Sequence, residues 1–360
     1  MTAVTTASPT LVTSDKILVG GAATLTLLAG VADFGHWNSV VAFVISAAAV
    51  CILAALVGRS VEQLGDRFGA GATGVLQSAL GNLPELFICI FSLKAGLVDV
   101  VRAALVGSIL ANLLLVLGLA FLVGGLKHGT QQLGSARART IVVLMLLSVS
   151  AWAVPSLAHW LHTPADEHEV TFSVIVSVLL LLLFAASLPF SLSRESGDEE
   201  AGPHEEPRWP IWLAVGMLAA AGAAAAFVSD WFVNALQPAM DALSINETFA
   251  GLVVVAIAGN AIENVVGVQL AARDQSAYAF SVILNSPIQI ALVLAPALVL
   301  ISQIFGLASL TLVLSPLLVV VLMLSVVLAA FIAFDGESTW LEGASLIVLY
   351  AIIATAFWWG

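Results

Sequence analysis

GNLPELFICIFSLKAG (Gly81–Gly96) and GNAIENVVGVQLAARDQ (Gly259–Gln275) decide how this chain is read. Each opens on Gly-Asn, carries a glutamate four positions after the glycine, and lies within a long apolar stretch. The two copies stand 178 positions apart. A carboxylate at the middle of a membrane span costs about 3 kcal/mol on insertion scales. One such acid is readily an accident of packing. Two, in matched motifs, read as a cation site built twice, with Glu85 and Glu263 as its charges.

The surrounding composition sets the class. Hydrophobic residues make up 61% of the chain and charged residues 9%, with a mean hydropathy of +1.08. Soluble domains carry about 25% charged residues. The expected fold is therefore an all-α integral membrane protein, since runs such as Val40–Val57, Ile141–Trp160 and Val170–Leu192 approach the roughly 20 residues of a spanning helix. They lack the alternation of a barrel strand. About eleven spans are predicted: 16–33, 38–58, 71–94, 100–125, 140–161, 169–192, 210–235, 246–272, 276–303, 308–334 and 339–359. Residues 1–15 lack a basic secretory n-region and are expected to form a short disordered cytoplasmic tail. Cys51 and Cys89 both fall within spans and are read as packing residues rather than as a disulfide.

Basic residues give an orientation. Of 11 Lys and Arg, only Lys94 and Arg102 fall on one side of this span count. That bias predicts a cytoplasmic N-terminus and an external C-terminus. The lack of a transit peptide fits a bacterial plasma membrane. The shift of 178 also aligns Ser108 with Ser286 and sets Gly118 opposite Pro296. The motifs fall on the third and eighth spans, five apart, so the two copies should cross in opposite directions, as inverted repeats do. The organisation expected is a leading helix (16–37), a five-helix repeat (38–192), an acidic cytoplasmic linker (193–209) and a second five-helix repeat (210–360).

The motif chemistry follows from its residue types. Gly81 and Gly259 add backbone freedom before Asn82 and Asn260, which compete for nearby backbone groups. Pro84 removes a donor and is expected to clash with the carbonyl of Leu80. Freed carbonyls beside a cavity become cation ligands. Asn82, Asn260, Ser108, Asn112, Ser286 and Gln289 add neutral oxygens on the same and adjacent spans. An all-oxygen shell with two carboxylates suits a hard divalent cation such as Ca²⁺. Two acids sharing a low-dielectric cavity resist joint ionisation, so protons and Ca²⁺ compete for them. Each residue also has a plainer reading as a hydrogen-bonded tie between helices. For Asn112, Gln289 and the two serines, ligation and helix tie stay open alternatives.

These motifs, together with Ser60-Val61-Glu62-Gln63-Leu64, the run from Gly107 to Gly118 and SPIQIALVLAPALVL from Ser286, resemble the calcium/proton antiporters of the cation/calcium exchanger superfamily. The likeness is strongest over 60–125 and 245–302. It implies paired inverted five-helix repeats after one leading helix, alternating access, and the two motif glutamates as the exchange site for Ca²⁺ and H⁺. One departure stands out: Asn264 follows Glu263 where the family commonly has His. Asn285 and Pro287 also replace small residues often found there.

Other features carry less. Six carboxylates between Glu195 and Glu206 read as a solvated linker, or, by the resemblance, as an acidic Ca²⁺-sensing helix that Gly202-Pro203 would interrupt. His159, His162, Asp166, Glu167, His168 and Glu169 cluster between the fifth and sixth spans. They read as an exposed polar loop, or as an external metal- or pH-sensing patch. Glu62 is a candidate for the cation access path, or an ion-pair partner of Arg59 or Arg67. Trp340, Trp358 and Trp359 suit interfacial anchoring. Nothing calls for a cofactor or nucleic acid, and no phosphate-binding loop or catalytic partner for an intramembrane serine suggests an enzyme. The partners expected are Ca²⁺, H⁺ and the lipid bilayer; no pattern speaks to oligomeric state. The rival readings are a Na⁺/H⁺ or Na⁺/Ca²⁺ exchanger of the same fold and, further off, a cation channel.

Overall fold

The computed structural model describes residues 11–65, 80–133, 136–194 and 207–359, the side chains of 136–137, 189–194 and 261–264 excepted. Outside it lie most of the N-terminal tail, the start of the third span, Arg67, the centre of the acidic linker and the side chains of Glu263 and Asn264.

Within these limits the chain is nearly all helical. The helices are α1 (Thr13–Phe34), α2 (Ser39–Gly65), α3 (Leu83–Lys94), α4 (Val98–His128), α5 (Ala136–Trp160), α6 (Glu169–Arg194), α7 (Ile211–Leu243), α8 (Glu247–Gly259), α9 (Ala261–Ala271), α10 (Ser276–Ile304), α11 (Pro316–Asp335) and α12 (Trp340–Trp358). Among the described residues, 9 are long and apolar enough to cross a membrane. The eighth expected span falls short because it breaks into α8 and α9 at Asn260. The third is described only from Leu80, and α3 begins just past Asn82. Both breaks fall on the Gly-Asn pairs.

Several boundaries differ from expectation. Helix α1 starts at Thr13, inside the stretch read as a tail. Pro84 lies in the first turn of α3, where a missing N–H costs little, so it opens a helix rather than distorting one. Just before the aligned Gly118 and Pro296, the helices carry π-helical turns, at Ala111–Val116 in α4 and Ile290–Leu294 in α10. A third such turn, Ala250–Val255, lies in α8. The tenth expected span loses its first turns, since Ser309–Ser315 is not helical and α11 begins at Pro316. That segment is nonetheless buried at Leu310, Leu312 and Leu314. Their amide groups donate to the hydroxyls of Ser302 (3.2 Å), Ser173 (3.0 Å) and Ser156 (3.0 Å). Three serines from three helices thus supply what an irregular backbone away from water requires. Two short antiparallel strands, Gln131–Gln132 and Glu337–Ser338, clasp the ends of α4 and α11.

Packing divides the molecule into two apolar clusters. The smaller gathers α1, α2 and α7, through residues such as Ala49, Leu53, Val57, Ala221, Ala225 and Phe232. The larger is built on α4, α5, α6 and α10–α12, with Leu114, Trp152, Phe280 and Leu298 at its centre. Small residues allow the close approaches, as is usual where lipid offers no hydrophobic drive. At one such crossing α4 meets α8: a Cβ on Gly107 would collide with the Leu252 backbone, and one on Gly251 with Val100 O. Packing is also reciprocal. Helix α3 packs on α7 while α9 packs on α2; α4 packs on α12 while α10 packs on α6.

Candidate cation site

Two helix openings build the centre of the molecule. Asn82 (φ −93°, ψ 20°) and Asn260 (φ −103°, ψ 16°) both leave helical geometry for the sparsely allowed bridge region. Helices α3 and α9 restart immediately after them, which sets Glu85 and Glu263 at the third helical position of each. A helix N-terminus favours an ionised carboxylate.

The described side chains converge there. Glu85 is 3% exposed. Ser108 of α4 donates a hydrogen bond to Glu85 Oε1, and the Cβ, Cγ and Cδ of Glu85 lie 3.7 Å from where a Cβ on Gly259 would stand. The acid of the first motif therefore rests on the glycine of the second. Asn112, in the π-helical turn of α4, donates through Nδ2 to Ser108 O (3.0 Å) and to Asn260 Oδ1 (3.0 Å). Ser286 of α10 also donates to Asn260 Oδ1 (3.2 Å). Asn82 reaches Gln289 Oε1 at 3.4 Å, the long end of a hydrogen bond. Asn260 Nδ2 caps back onto Ala256 O (2.9 Å).

Of the residues singled out by sequence, Glu85, Ser108, Asn112, Gly259, Asn260 and Ser286 thus form one connected centre, and Asn82 pairs with Gln289, three residues beyond Ser286 on α10. Gly81 lies in the turn before α3, and Glu263 is on α9 with its side chain undescribed. Glu62 stands apart at the end of α2, 49% exposed, paired with Arg59 at 2.6 Å. Asn112 Oδ1 is buried and has no hydrogen-bond partner among the described residues. A buried carbonyl oxygen left bare costs about 1–3 kcal/mol, and a cation would recover it.

One contact escaped the sequence. Cys51 of α2, read there as packing only, donates from Sγ to Ala258 O at 3.3 Å, one residue before the second Gly-Asn pair. It links α2 to the break in the opposite half. No spacing signal could have paired residues so distant in the chain. Both cysteines are free.

Chemically, the centre offers carboxylate, amide and hydroxyl oxygens and no imidazole or thiolate ligand among the described residues. It is suited to a hard cation.

Comparison with known proteins agrees in kind. The sodium/calcium exchanger protein family model matches residues 38–193 and 213–359. The Ca(2+)/H(+) antiporter of Synechocystis sp. is 33% identical over 341 residues, which cover 89% of this chain and 91% of that protein. The Ca(2+)/H(+) antiporter ChaA of Bacillus subtilis is 33% identical over 329 residues, covering 89% and 93%. The solved structure of native YfkE matches with a TM-score of 0.81 at 31% identity, over 96% of this chain and 100% of that one.

Proposed function

The chain belongs to the sodium/calcium exchanger protein family, and from that membership we propose that it is a secondary antiporter exporting cytoplasmic Ca²⁺ in exchange for H⁺. The cation sits between Glu85 and Glu263 and is completed by Asn82, Asn260, Asn112, the serines and the carbonyls before each break. The observation that carries this reading is the buried Glu85 carboxylate, held by Ser108 and lying on Gly259 of the opposing motif. The names of relatives at 33% identity support the choice of ions.

The coupling is competitive. With Ca²⁺ bound, both acids are ionised; without it, protons neutralise them, so the pocket never crosses the low-dielectric centre with two bare charges. Alternation follows from two inverted five-helix repeats, 38–192 and 210–360, after the leading helix. Their support is an offset of 178 that recurs in the helix boundaries. Helices α3 and α9 start at Leu83 and Ala261, and α4 and α10 start at Val98 and Ser276. Reciprocal packing across the halves supports it too. The α1–α2–α7 cluster is the body that moves against the larger one, opening the pocket to either side in turn. The N-terminus is cytoplasmic and the C-terminus external on the basic-residue bias.

The test is flux into everted vesicles of reconstituted protein, comparing Ca²⁺, Mn²⁺, Na⁺ and K⁺ while internal pH is recorded. Ca²⁺ uptake with matching proton release is expected, and Glu85→Gln or Glu263→Gln abolishes both while the protein still folds. Transport surviving either neutralisation would favour a sodium exchanger of the same fold. Conduction independent of the proton gradient would favour a channel.

A further inference from the structure

Away from the central pocket, the end of α5 and the start of α6 carry a second set of donors. Helix α5 stops at Trp160, and a turn with His162 at φ 49° reverses the chain. A short 3-10 turn, Asp166–His168, then leads into α6 at Glu169. The reversal brings His159 Nδ1 to 2.7 Å from Asp166 Oδ1 and to 4.0 Å from Glu169 Oε2. One ligand atom from each of the three lies within 4.8 Å of the others. Two carboxylates and a neutral imidazole carry the charge that balances a dication.

The carboxylate of Glu169 is also supported from behind. Thr311, 5% exposed in the irregular segment before α11, donates to Glu169 Oε1 at 2.5 Å, on the side away from His159. Arg102 of α4 in turn donates to Thr311 at 2.7 Å and pairs with Asp99 at 3.2 Å. Hydrogen-bonded outer partners of this kind orient metal-ligating carboxylates and sharpen affinity. His159 faces a cavity of about 450 Å³ that Asp99, Arg102 and Thr248 also line, which leaves room for water ligands.

We propose that His159, Asp166 and Glu169 form a binding site for a first-row transition-metal dication of the Zn²⁺ class, separate from the transported cation. The donor set decides the metal. An imidazole nitrogen with two carboxylate oxygens suits Zn²⁺ and its neighbours, whereas Ca²⁺ takes six to eight oxygens. Tetrahedral bonds of about 2.0–2.1 Å set donors about 3.3 Å apart, and the observed separations of 2.7 and 4.0 Å bracket that value. Binding replaces the His159–Asp166 hydrogen bond, with the imidazole proton moving to Nε2. It ties α5 to α6 and, through Thr311 and Arg102, to the outer end of α4, whose Ser108 holds Glu85.

The experiment is Zn²⁺ titration of the purified full-length protein in detergent by calorimetry, with thermal unfolding as a second readout. Wild type should bind one Zn²⁺ at this site and gain thermal stability, with excess Ca²⁺ failing to displace it. His159→Ala should lose at least about tenfold in affinity together with the stability gain. Thr311→Val should lose about tenfold through the outer partner, while Glu167→Gln binds as wild type. Glu85→Gln should retain Zn²⁺ binding, which separates this site from the central one. His159→Asn serves if the alanine variant does not fold. Unchanged Zn²⁺ binding in folded His159 variants, loss of binding in Glu85→Gln, displacement by Ca²⁺, or no binding by wild type would each overturn the proposal.

Discussion

Two local features act on Glu85, the α3 N-terminus and the Ser108 hydroxyl. A hydrogen bond to a charged group is worth about 1.5–3 kcal/mol. Ser108→Ala is therefore expected to slow Ca²⁺ exchange about tenfold or more, and Ser108→Thr, which keeps the hydroxyl, to preserve most of it; initial rates in vesicles decide. Asn112 makes a complementary test. Its Oδ1, without a hydrogen-bond partner among the described residues, predicts that Asn112→Asp tightens apparent Ca²⁺ affinity and slows turnover, because a third carboxylate holds the ion. A variant that misfolds or leaves affinity unchanged would reduce Asn112 to a tie between helices. These residue types were legible from sequence. The Cys51–Ala258 contact was not, because a sulfhydryl in a helix looks the same whether it meets lipid, a side chain or a carbonyl.

Helix crossings depend on where side chains are missing. At the contact between α4 and α8, Gly107 and Gly251 let one backbone approach the other, and neither tolerates a Cβ without movement. Gly251→Val is expected to cost about 1–3 kcal/mol by overpacking, read as a lower unfolding temperature in detergent. Gly216→Ala, with nothing within 4 Å of the added Cβ and a better helix former in place, should not lower it. Helix existence and approximate ends followed from hydropathy for most spans. The π-helical turns and the Ser309–Ser315 segment did not, since the first depends on how a helix is held by its neighbours and the second on serines contributed by three other helices.

Polar ties also fasten the smaller apolar cluster, and one set closes it near the N-terminus. Asp15, 2% exposed, accepts from Val12 N (3.2 Å), Arg59 Nε (3.4 Å) and Trp209 Nε1 (3.1 Å). Gln63 Oε1 accepts from the backbone of Arg208 and Trp209. The chain leaving the acidic linker is thus fastened to α1 and α2 before α7 begins. Removing one partner of a buried charge pair costs about 3–5 kcal/mol; with Arg59 partly exposed, Asp15→Ala should cost somewhat less, seen as a lower melting temperature. If Ca²⁺ and H⁺ share one pocket, withdrawing Ca²⁺ from the bath should also stop proton movement in reconstituted vesicles. A persistent proton leak would deny obligatory exchange.

The helical class and most of the apolar runs, and the recurrence of an acid behind Gly-Asn, were readable along the chain, because transfer energies and helix propensities act over a few neighbouring residues. Meetings between distant positions were not: Glu85 on Gly259, Asn112 with Asn260, three serines accepting from one irregular segment, and Glu169 held by Thr311. Each depends on the angle and separation at which helices cross. Those are set by interlocking small residues across the whole bundle, so they exist only once all the partners are in place.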